Sequence, residues 1–223
     1  MPRMDGIDVS KWQGTIDWKA VQTTGIWWSA CRVWDRDLNK MDATFPANRA
    51  GQSFCTYKLL YDWLLPGQGV AGAQKFLSVV NFLGAGEAAM LDAEQDGITV
   101  QDCLDWLGVV EPVLGRPAAV YTGGYVAGGS IWRSPAIFNG QRARVFAAYC
   151  SEADAKRHAQ GIAWDCWQWS STGRVPGIAA NCDQDQVDNR AMFDKCCGLS
   201  GQVVSGGPKA IIKSGHARKM AGV

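Results

Sequence analysis

Short apolar runs alternate with longer amphipathic segments along the chain, and this alternation predicts the secondary structure. Runs rich in apolar or β-branched residues predict eight strands, at 6–9, 26–34, 52–57, 87–91, 117–121, 144–149, 162–169 and 178–183. Segments of helical character lie between several of them, at 16–23, 43–51, 70–83 and 100–114. Strands separated by helix-length segments are typical of βαβ units in a parallel sheet.

The length of 223 residues suits one closed barrel, because α/β barrels span about 200–250 residues as a single domain. We therefore predict an α/β fold, a single (β/α)8-type barrel in regular or distorted form, over residues 1–197. An open Rossmann-like sheet is the alternative, but no Gly-x-Gly-x-x-Gly follows the first strand. Residues 198–223 are rich in Gly, Ser, Lys and Ala without periodicity, which predicts a short flexible tail.

Composition and charge narrow the class of partner. Hydrophobic residues make up 47% and charged residues 19% of the chain, which favours a large buried core. The net charge of +1 gives no reason to expect a nucleic acid as partner. No apolar run approaches the roughly 18 residues that span a membrane, so we expect no membrane insertion. The first six residues lack an apolar h-region, so we expect no secretory signal and synthesis in the cytoplasm, and we expect a monomer.

The eight cysteines and two histidines do not form a recognisable metal motif. No Cys-x-x-Cys is present, and neither histidine pairs with a cysteine at zinc spacing. The chain is longer than typical disulfide-stabilised domains, so we predict buried free thiols. We expect no metal and no cofactor.

Candidate chemistry comes from carboxylates at predicted strand ends, where barrels of this class place their reactive groups. The residues are Asp8, Asp92, Glu94 and Asp183. Asp92 and Glu94 lie two apart at the end of an apolar run, so both point to the same side of an extended strand. Two neighbouring carboxylates push their pKa values apart, which gives the acid and the anion that glycoside hydrolysis needs. An Asp-x-Glu by itself more often marks a solvated loop, and its position directly after the run is what favours the catalytic interpretation.

Tryptophan is the second signal. The chain has eleven, and several flank predicted strand ends: Trp12, Trp34, Trp132, Trp167 and Trp169. Aromatic faces pack against sugar rings, although most tryptophans belong to protein cores. Carboxylates and tryptophans together predict a carbohydrate-active protein without naming the substrate.

Several motifs resemble the family 25 glycoside hydrolases, the Ch-type lysozymes. Asp5-Gly-Ile-Asp-Val-Ser-Lys-Trp-Gln-Gly14 is similar to the opening strand of that family, and Met90-Leu-Asp-Ala-Glu94 is similar to its Asp-x-Glu strand. Further segments match in family order and extend the resemblance from residue 5 to about 195: 16–21, 119–122, 145–149, 167–178 and 182–185.

The resemblance implies cleavage of the β-1,4 bond between N-acetylmuramic acid and N-acetylglucosamine in bacterial peptidoglycan, with net retention. It makes Glu94 the general acid/base, and Asp8, Asp92 and Asp183 the rest of an acidic cleft. Asp92 either orients the substrate's 2-acetamido group or attacks directly. Three aromatic residues are expected to line the sugar subsites: Tyr121, Tyr149 and Trp167.

Two segments depart from the family pattern. The second strand usually ends in Glu-Gly, whereas this chain reads Val33-Trp-Asp-Arg36, so Asp35 stands in as a substrate-binding residue. The third strand usually carries Tyr-His, and here residues 53–57 read Ser-Phe-Cys-Thr-Tyr. In the closing segment Asp183 rather than Asp185 aligns with the family's acidic residue.

Two other functions stay open. One is a barrel that binds glycan on a virion or cell wall without cutting it. The other is a different glycoside hydrolase such as a chitinase, which residues 85–94 disfavour because they lack the Asp-x-x-Asp-x-Asp-x-Glu run. For the muramidase, we expect the setting of a phage endolysin, with a virion-associated lysin as the alternative.

Overall fold

The computed structural model describes residues 4–125 and 129–200, which contain ten strands and six α-helices. The strands are β1 (Met4–Val9), β2 (Trp28–Arg32), β3 (Trp34–Asp35), β4 (Lys40–Met41), β5 (Tyr57–Trp63), β6 (Glu87–Asp92), β7 (Ala119–Gly123), β8 (Arg144–Ala147), β9 (Cys166–Gly173) and β10 (Cys182–Val187). The helices are α1 (Trp18–Gln22), α2 (Phe45–Gly51), α3 (Gly69–Val79), α4 (Val100–Leu114), α5 (Glu152–His158) and α6 (Arg190–Cys196). Short 3-10 turns occupy Lys11–Gln13 and Gln52–Phe54.

Eight of these strands close into a barrel, which confirms the predicted fold class. Its order is β1-β2-β5-β6-β7-β8-β9-β10, and β10 returns to pair with β1. All neighbours run parallel except β10, which is antiparallel to both β9 and β1. The segment from β9 to β10 spans only residues 174–181 without a helix, so the chain reverses instead of crossing over. This reversal is the distortion of the barrel.

Three predicted strands were wrong in position, and one of them, 162–169, lies instead at Cys166–Gly173. Residues 52–57 do not form the third strand, because Gln52–Phe54 is a 3-10 turn and β5 begins at Tyr57. Strand β5 is almost wholly buried, but Lys58 and Asp62 interrupt its apolar pattern, so the sequence does not reveal it as a strand. The last strand is Cys182–Val187 and not 178–183, since its inward side chains are carboxylates and carry no apolar signal.

The two faces of the strands build two separate parts of the core. Outward residues such as Leu60, Leu91 and Val120 pack beneath the helices α3 and α4. There Phe76 and Trp106 contact each other with ring centroids 5.3 Å apart. Helix α4 begins at a Thr99 capping box and ends at Gly115, whose φ of 69° suits glycine.

Helix α6 closes the end of the barrel at which the parallel strands begin. The Phe193 ring packs edge-on against Trp28 and Tyr57, with centroid distances of 5.8 and 5.5 Å. The Tyr57 hydroxyl donates to Asp194 Oδ1 at 2.7 Å. Gly6 leaves the space for the Trp28 indole, because a Cβ at that position would overlap the ring. The opposite end of the barrel therefore remains for a site.

All eight cysteines lie within the described residues and are free, and seven are buried. The sulfur of Cys55 lies 3.8 Å from Ser29 Oγ, and that of Cys31 lies 3.5 Å from Gln52 Nε2. The thiols therefore serve as small core side chains, as predicted.

Candidate active site

A cleft of about 230 Å³ opens at the rim where the parallel strands end. It is lined by Asp8, Ser10, Trp12, Gln13, Arg32, Tyr61, Trp63, Met90, Asp92, Glu94, Tyr121, Tyr149, Gln168 and Asp183. The fold thus brings together all four predicted carboxylates and, of the three aromatic residues predicted to line the sugar subsites, Tyr121 and Tyr149.

The reversal of β10 is what delivers Asp183 to this rim. Asp183 lies near the start of β10, and an antiparallel strand starts at the edge where its parallel neighbours end. It stands opposite Asp8 in the strand register. Burial, followed by the charges of Asp183 and Asp185, raises the pKa of Asp8 well above its usual range. The register therefore places two acidic side chains together at the rim of the cleft.

Asp92 and Glu94 form the second carboxylate pair. Strand β6 ends at the buried Asp92, and Glu94 follows two residues later at the cleft wall. Burial and the neighbouring Glu94 raise the pKa of Asp92, while burial and the charge of Asp183 raise the pKa of Glu94. Arg36 acts against both shifts. Asp92 Oδ1 is buried and has no hydrogen-bond partner, so it can accept a donor from a ligand.

A buried amide, Gln168, connects the two pairs. Its Oε1 accepts hydrogen bonds from the hydroxyls of Tyr121 and Tyr149, both at 2.7 Å, and its Nε2 donates to Asp8 Oδ2. The Tyr121 oxygen also lies 3.2 Å from Glu94 Oε2. Burial is the largest effect on Glu94 and raises its pKa, whereas the Tyr121 hydrogen bond lowers it, and the net shift is upward. Burial therefore favours a protonated Glu94 despite the tyrosine beside it.

Comparison with known proteins assigns the family. The chain matches the model of the glycosyl hydrolases family 25 over residues 7–178. This chain belongs to that family. It is a glycoside hydrolase.

Individual proteins are also similar to this chain in sequence or in fold. The uncharacterized protein YegX of Escherichia coli strain K12 is 28% identical over 189 residues, which cover 80% of this chain and 67% of YegX. The lysozyme of Streptomyces coelicolor has a similar fold, with a TM-score of 0.71 at 20% identity over 90% of this chain and all of that one. The catalytic domain of endolysin ply40, from bacteriophage P40 of Listeria monocytogenes, gives a TM-score of 0.66 at 20% identity over 88% of this chain and 98% of that one.

Two predicted substrate-binding residues of this family 25 protein lie outside the cleft. Trp167 points away from the barrel axis, packs 5.8 Å from Trp164 between ring centroids, and donates through Nε1 to the Ala148 carbonyl. The strand alternation places the next residue, Gln168, inward instead. Asp35 is buried, with its Oδ2 2.6 Å from Lys11 Nζ, and its Oδ1 accepts a hydrogen bond from the Asp37 amide. It therefore links the β3–β4 hairpin to the 3-10 turn at Lys11–Gln13.

The sequence prediction also missed several cleft residues of the family 25 barrel. Gln168 lies between Trp167 and Trp169. Because successive side chains of a strand face opposite sides, two outward tryptophans place the polar residue between them inward, and this pattern could have identified Gln168. Tyr61 and Trp63 were missed together with β5. Arg32 points inward at the end of β2. Its Nε donates to Asp42 Oδ2 at 2.9 Å, and the two side chains form a buried ion pair that the sequence does not indicate.

Within residues 4–125 and 129–200, no group of three or more His, Cys, Asp or Glu side chains is placed to hold a metal ion. In the same part of the chain, no helix has the length and apolarity to cross a bilayer.

Proposed function

We propose that this family 25 glycoside hydrolase is a muramidase, which cuts the β-1,4 bond between N-acetylmuramic acid and N-acetylglucosamine in peptidoglycan. The observation that carries the proposal is the presence of two buried carboxyl groups, Asp92 and Glu94, two residues apart at the cleft wall. Both pKa values are raised, and one buried carboxylate oxygen of the pair is unpartnered. Such a pair supplies a proton and an anion to one reacting bond.

Glu94 is the proposed general acid. Its proton passes to the glycosidic oxygen as the bond from that oxygen to the sugar C1 breaks, and positive charge develops at C1. In the second half of the reaction, the Glu94 carboxylate takes a proton from the water that adds to C1, which restores the acid.

Asp92 is proposed to act through the 2-acetamido group of the substrate. The acetamido oxygen bonds to C1 as the leaving group departs, and the acetamido N–H donates to the unpartnered Asp92 Oδ1. This new hydrogen bond stabilises the Asp92 anion and leaves the shared proton on Glu94. Water then opens the cyclic intermediate at C1, and the product keeps its configuration.

The other cleft residues are proposed to hold the sugar and the charge. Asp8 and Asp183 add negative charge near the developing cation, and the Asp183 charge keeps Glu94 protonated. Exposed rings at the rim, those of Trp12 and Tyr149, are proposed to pack against sugar faces.

Product analysis tests the proposal. Purified peptidoglycan is digested, and the fragments are reduced with borohydride and examined by mass spectrometry. A muramidase leaves reducing muramic acid ends. Reducing glucosamine ends would show a glucosaminidase, and no release of fragments would favour a barrel that binds glycan without cutting it.

The biological setting that we propose is lysis of a bacterial wall by a phage endolysin. The likeness to the catalytic domain of endolysin ply40 supports this setting at the level of fold. Expression in bacteria with and without a pore-forming phage protein tests it, because an endolysin of this kind lyses the cells only when the pore gives it access to the wall. Lysis independent of the pore, or none with it, would contradict the setting.

A further inference from the structure

A second cavity, of about 260 Å³, lies beside the cleft and shares one wall with it. The shared wall is Trp63, which lines both spaces. We call this cavity the side pocket, and its polar lining consists of Trp34, Arg36, Asn39, Asp62, Gln68 and Lys75 together with the Trp63 indole. The proposed reaction uses none of these residues.

Some of the hydrogen-bond donors in the side pocket have no acceptor. The indole nitrogens of Trp34 and Trp63 are buried and have no partner. Lys75 of α3 is half-buried and forms no ion pair with the described residues. Buried donors without acceptors destabilise a protein unless a ligand or water satisfies them, so this lining fits a ligand rich in acceptors.

Arg36 stands between the two cavities. Its guanidinium lies over the Trp63 ring, and its Nη1 donates to Gln95 Oε1 at 2.6 Å. Its charge acts on both Asp92 and Glu94. A ligand held near Arg36 is therefore a neighbour of the reacting bond.

One carboxyl group, Asp62, opposes a negative ligand in the side pocket. Its Oδ2 accepts from Trp106 Nε1 at 2.8 Å, and burial raises its pKa to about 7. Asp62 is therefore largely neutral at weakly acidic pH. Arg36 and Lys75 give the pocket a net positive charge under these conditions.

We propose that the side pocket binds a carboxylate of the peptide arm that muramic acid carries, an inference that rests on the proposed function. The sugar rings of the glycan offer only hydroxyl and acetamido groups, and the carboxylates of this substrate belong to the lactyl-peptide arm. A carboxylate accepts several charge-assisted hydrogen bonds, which matches two cations and two free indole donors. The wall shared at Trp63 allows a ring in the cleft to extend its arm into the side pocket.

The segment that departs from the family pattern supplies this pocket. Trp34 and Arg36 lie in and directly after β3, where the family usually has Glu-Gly. Asp35 between them is buried and fixed by Lys11, so the hairpin presents its two neighbours in a defined position. The departure keeps an acid at position 35 and adds the cation of Arg36 directly after it.

Binding measured by NMR tests the proposal without depending on turnover. The probe is N-acetylmuramyl-L-alanyl-D-glutamate, and the signals are the indole N–H resonances of Trp34 and Trp63 in the ¹⁵N-labelled protein. These resonances are assigned with Trp34→Phe and Trp63→Phe. We expect both to move downfield and to saturate, because each indole gains an acceptor. The diamide of the same probe should bind at least about 5-fold more weakly, since it loses the charge.

Lys75→Gln is the variant that tests the charge, with Lys19→Gln on α1 as its matched control at an exposed lysine. We expect Lys75→Gln to weaken binding of the muramyl dipeptide about 5- to 10-fold and to leave binding of the diamide unchanged. Lys19→Gln should bind both probes as the parent protein does.

Three results would overturn the proposal. The first is that neither indole responds to millimolar dipeptide. The second is that the parent protein binds the diamide as tightly as the dipeptide, or that Lys75→Gln binds the dipeptide as tightly as the parent protein does. The third is that sodium acetate at the same concentration saturates both resonances, which would show a general anion site. Failure of the muramidase proposal is a separate result, because it shows as missing muramic acid ends and not as a missing indole response.

Discussion

At the scale of single residues, Glu94 is distinguished by the tyrosine beside it. The Tyr121 hydroxyl lies within donating distance of both Glu94 Oε2, at 3.2 Å, and Gln168 Oε1, at 2.7 Å. Glu94→Gln keeps the shape of the side chain and removes the transferable proton. We expect kcat to fall at least ~100-fold, the usual scale of general acid–base catalysis, with the melting temperature nearly unchanged. Glu152→Gln, on the surface of α5, is the control. Retention of more than a tenth of the activity would exclude Glu94 as the acid.

The stereochemistry of the product follows from two carboxylates that share one strand end. Retaining enzymes hold their carboxyl groups about 5–5.5 Å apart, and participation of the acetamido group also gives retention. Proton NMR of a fresh digest should therefore show the β-anomer before mutarotation. An α-anomer as the first product would contradict the acetamido mechanism.

Asp183 and Asp185 both raise the pKa of Asp8, but of the two only Asp183 acts on Glu94. The Asp183 charge raises the pKa of Glu94, so Asp183→Asn should lower that pKa and move the upper limb of the pH–rate profile to lower pH. We expect a shift of about 0.5 units or more together with a lower rate. Asp185 is buried and raises the pKa of Asp8, so Asp185→Asn should leave the upper limb in place. Unchanged profiles in both variants would mean that neither residue tunes the acid.

At the scale of elements, the alternation of side chains along β9 decides which residue lines the cleft. Trp167 packs outward among Trp164 and Phe146, whereas Gln168 joins Tyr121 and Asp8. Gln168→Leu should lower kcat at least about 10-fold, because two tyrosines and one carboxyl group lose their common partner. Trp167→Phe should instead cost about 1–3 kcal/mol of unfolding free energy by leaving the Ala148 carbonyl unpaired, with kcat/KM nearly unchanged.

Kinetics and thermal unfolding of both variants test whether Gln168 serves the active site and Trp167 serves only the core. A loss of kcat/KM in Trp167→Phe as deep as that in Gln168→Leu would contradict it, and so would full activity in Gln168→Leu. The pH–rate profile of Gln168→Leu adds a readout that a purely structural role would not move. Removal of the Tyr121 acceptor frees the tyrosine proton for Glu94, which should lower the pKa of that acid.

At the scale of the whole molecule, the end of the described chain belongs to the closure of the barrel. Leu199 is buried with Phe193 and Cys196, and its amide donates to the Asp194 carbonyl at 2.7 Å. Truncation after Cys197 should therefore lower the melting temperature by about 4–8 °C, on the scale of one buried leucine in a protein of this size.

Truncation after Ser200 is the matched comparison. Residues 201–223 belong to the predicted tail, lie outside the described residues, and carry no apolar pattern in the sequence. We expect this variant to keep its melting temperature and its activity on soluble muropeptides, with weaker binding to whole walls through loss of basic side chains. A large loss of stability on removal of 201–223 would show that these residues pack on the barrel.

The sequence by itself determined the class of fold and the identity of the acidic residues. Strand runs, helix caps and turn glycines act over a few residues, so their pattern is legible without the tertiary structure, and α4 occupies the predicted range. The Asp-x-Glu after an apolar run was legible for the same reason. The roles of these carboxylates stay predictions until the variants are measured.

Only the tertiary structure decided how the cleft is assembled. The direction of β10, the buried β5 with its Lys58 and Asp62, and the inward phase of Gln168 depend on which strand lies beside which. A hydrogen-bond network from Glu94 through Gln168 to Asp8 joins residues up to 160 positions apart. No local pattern encodes such contacts, because they arise when the barrel closes and the polar side chains that face its axis must find their partners in one another.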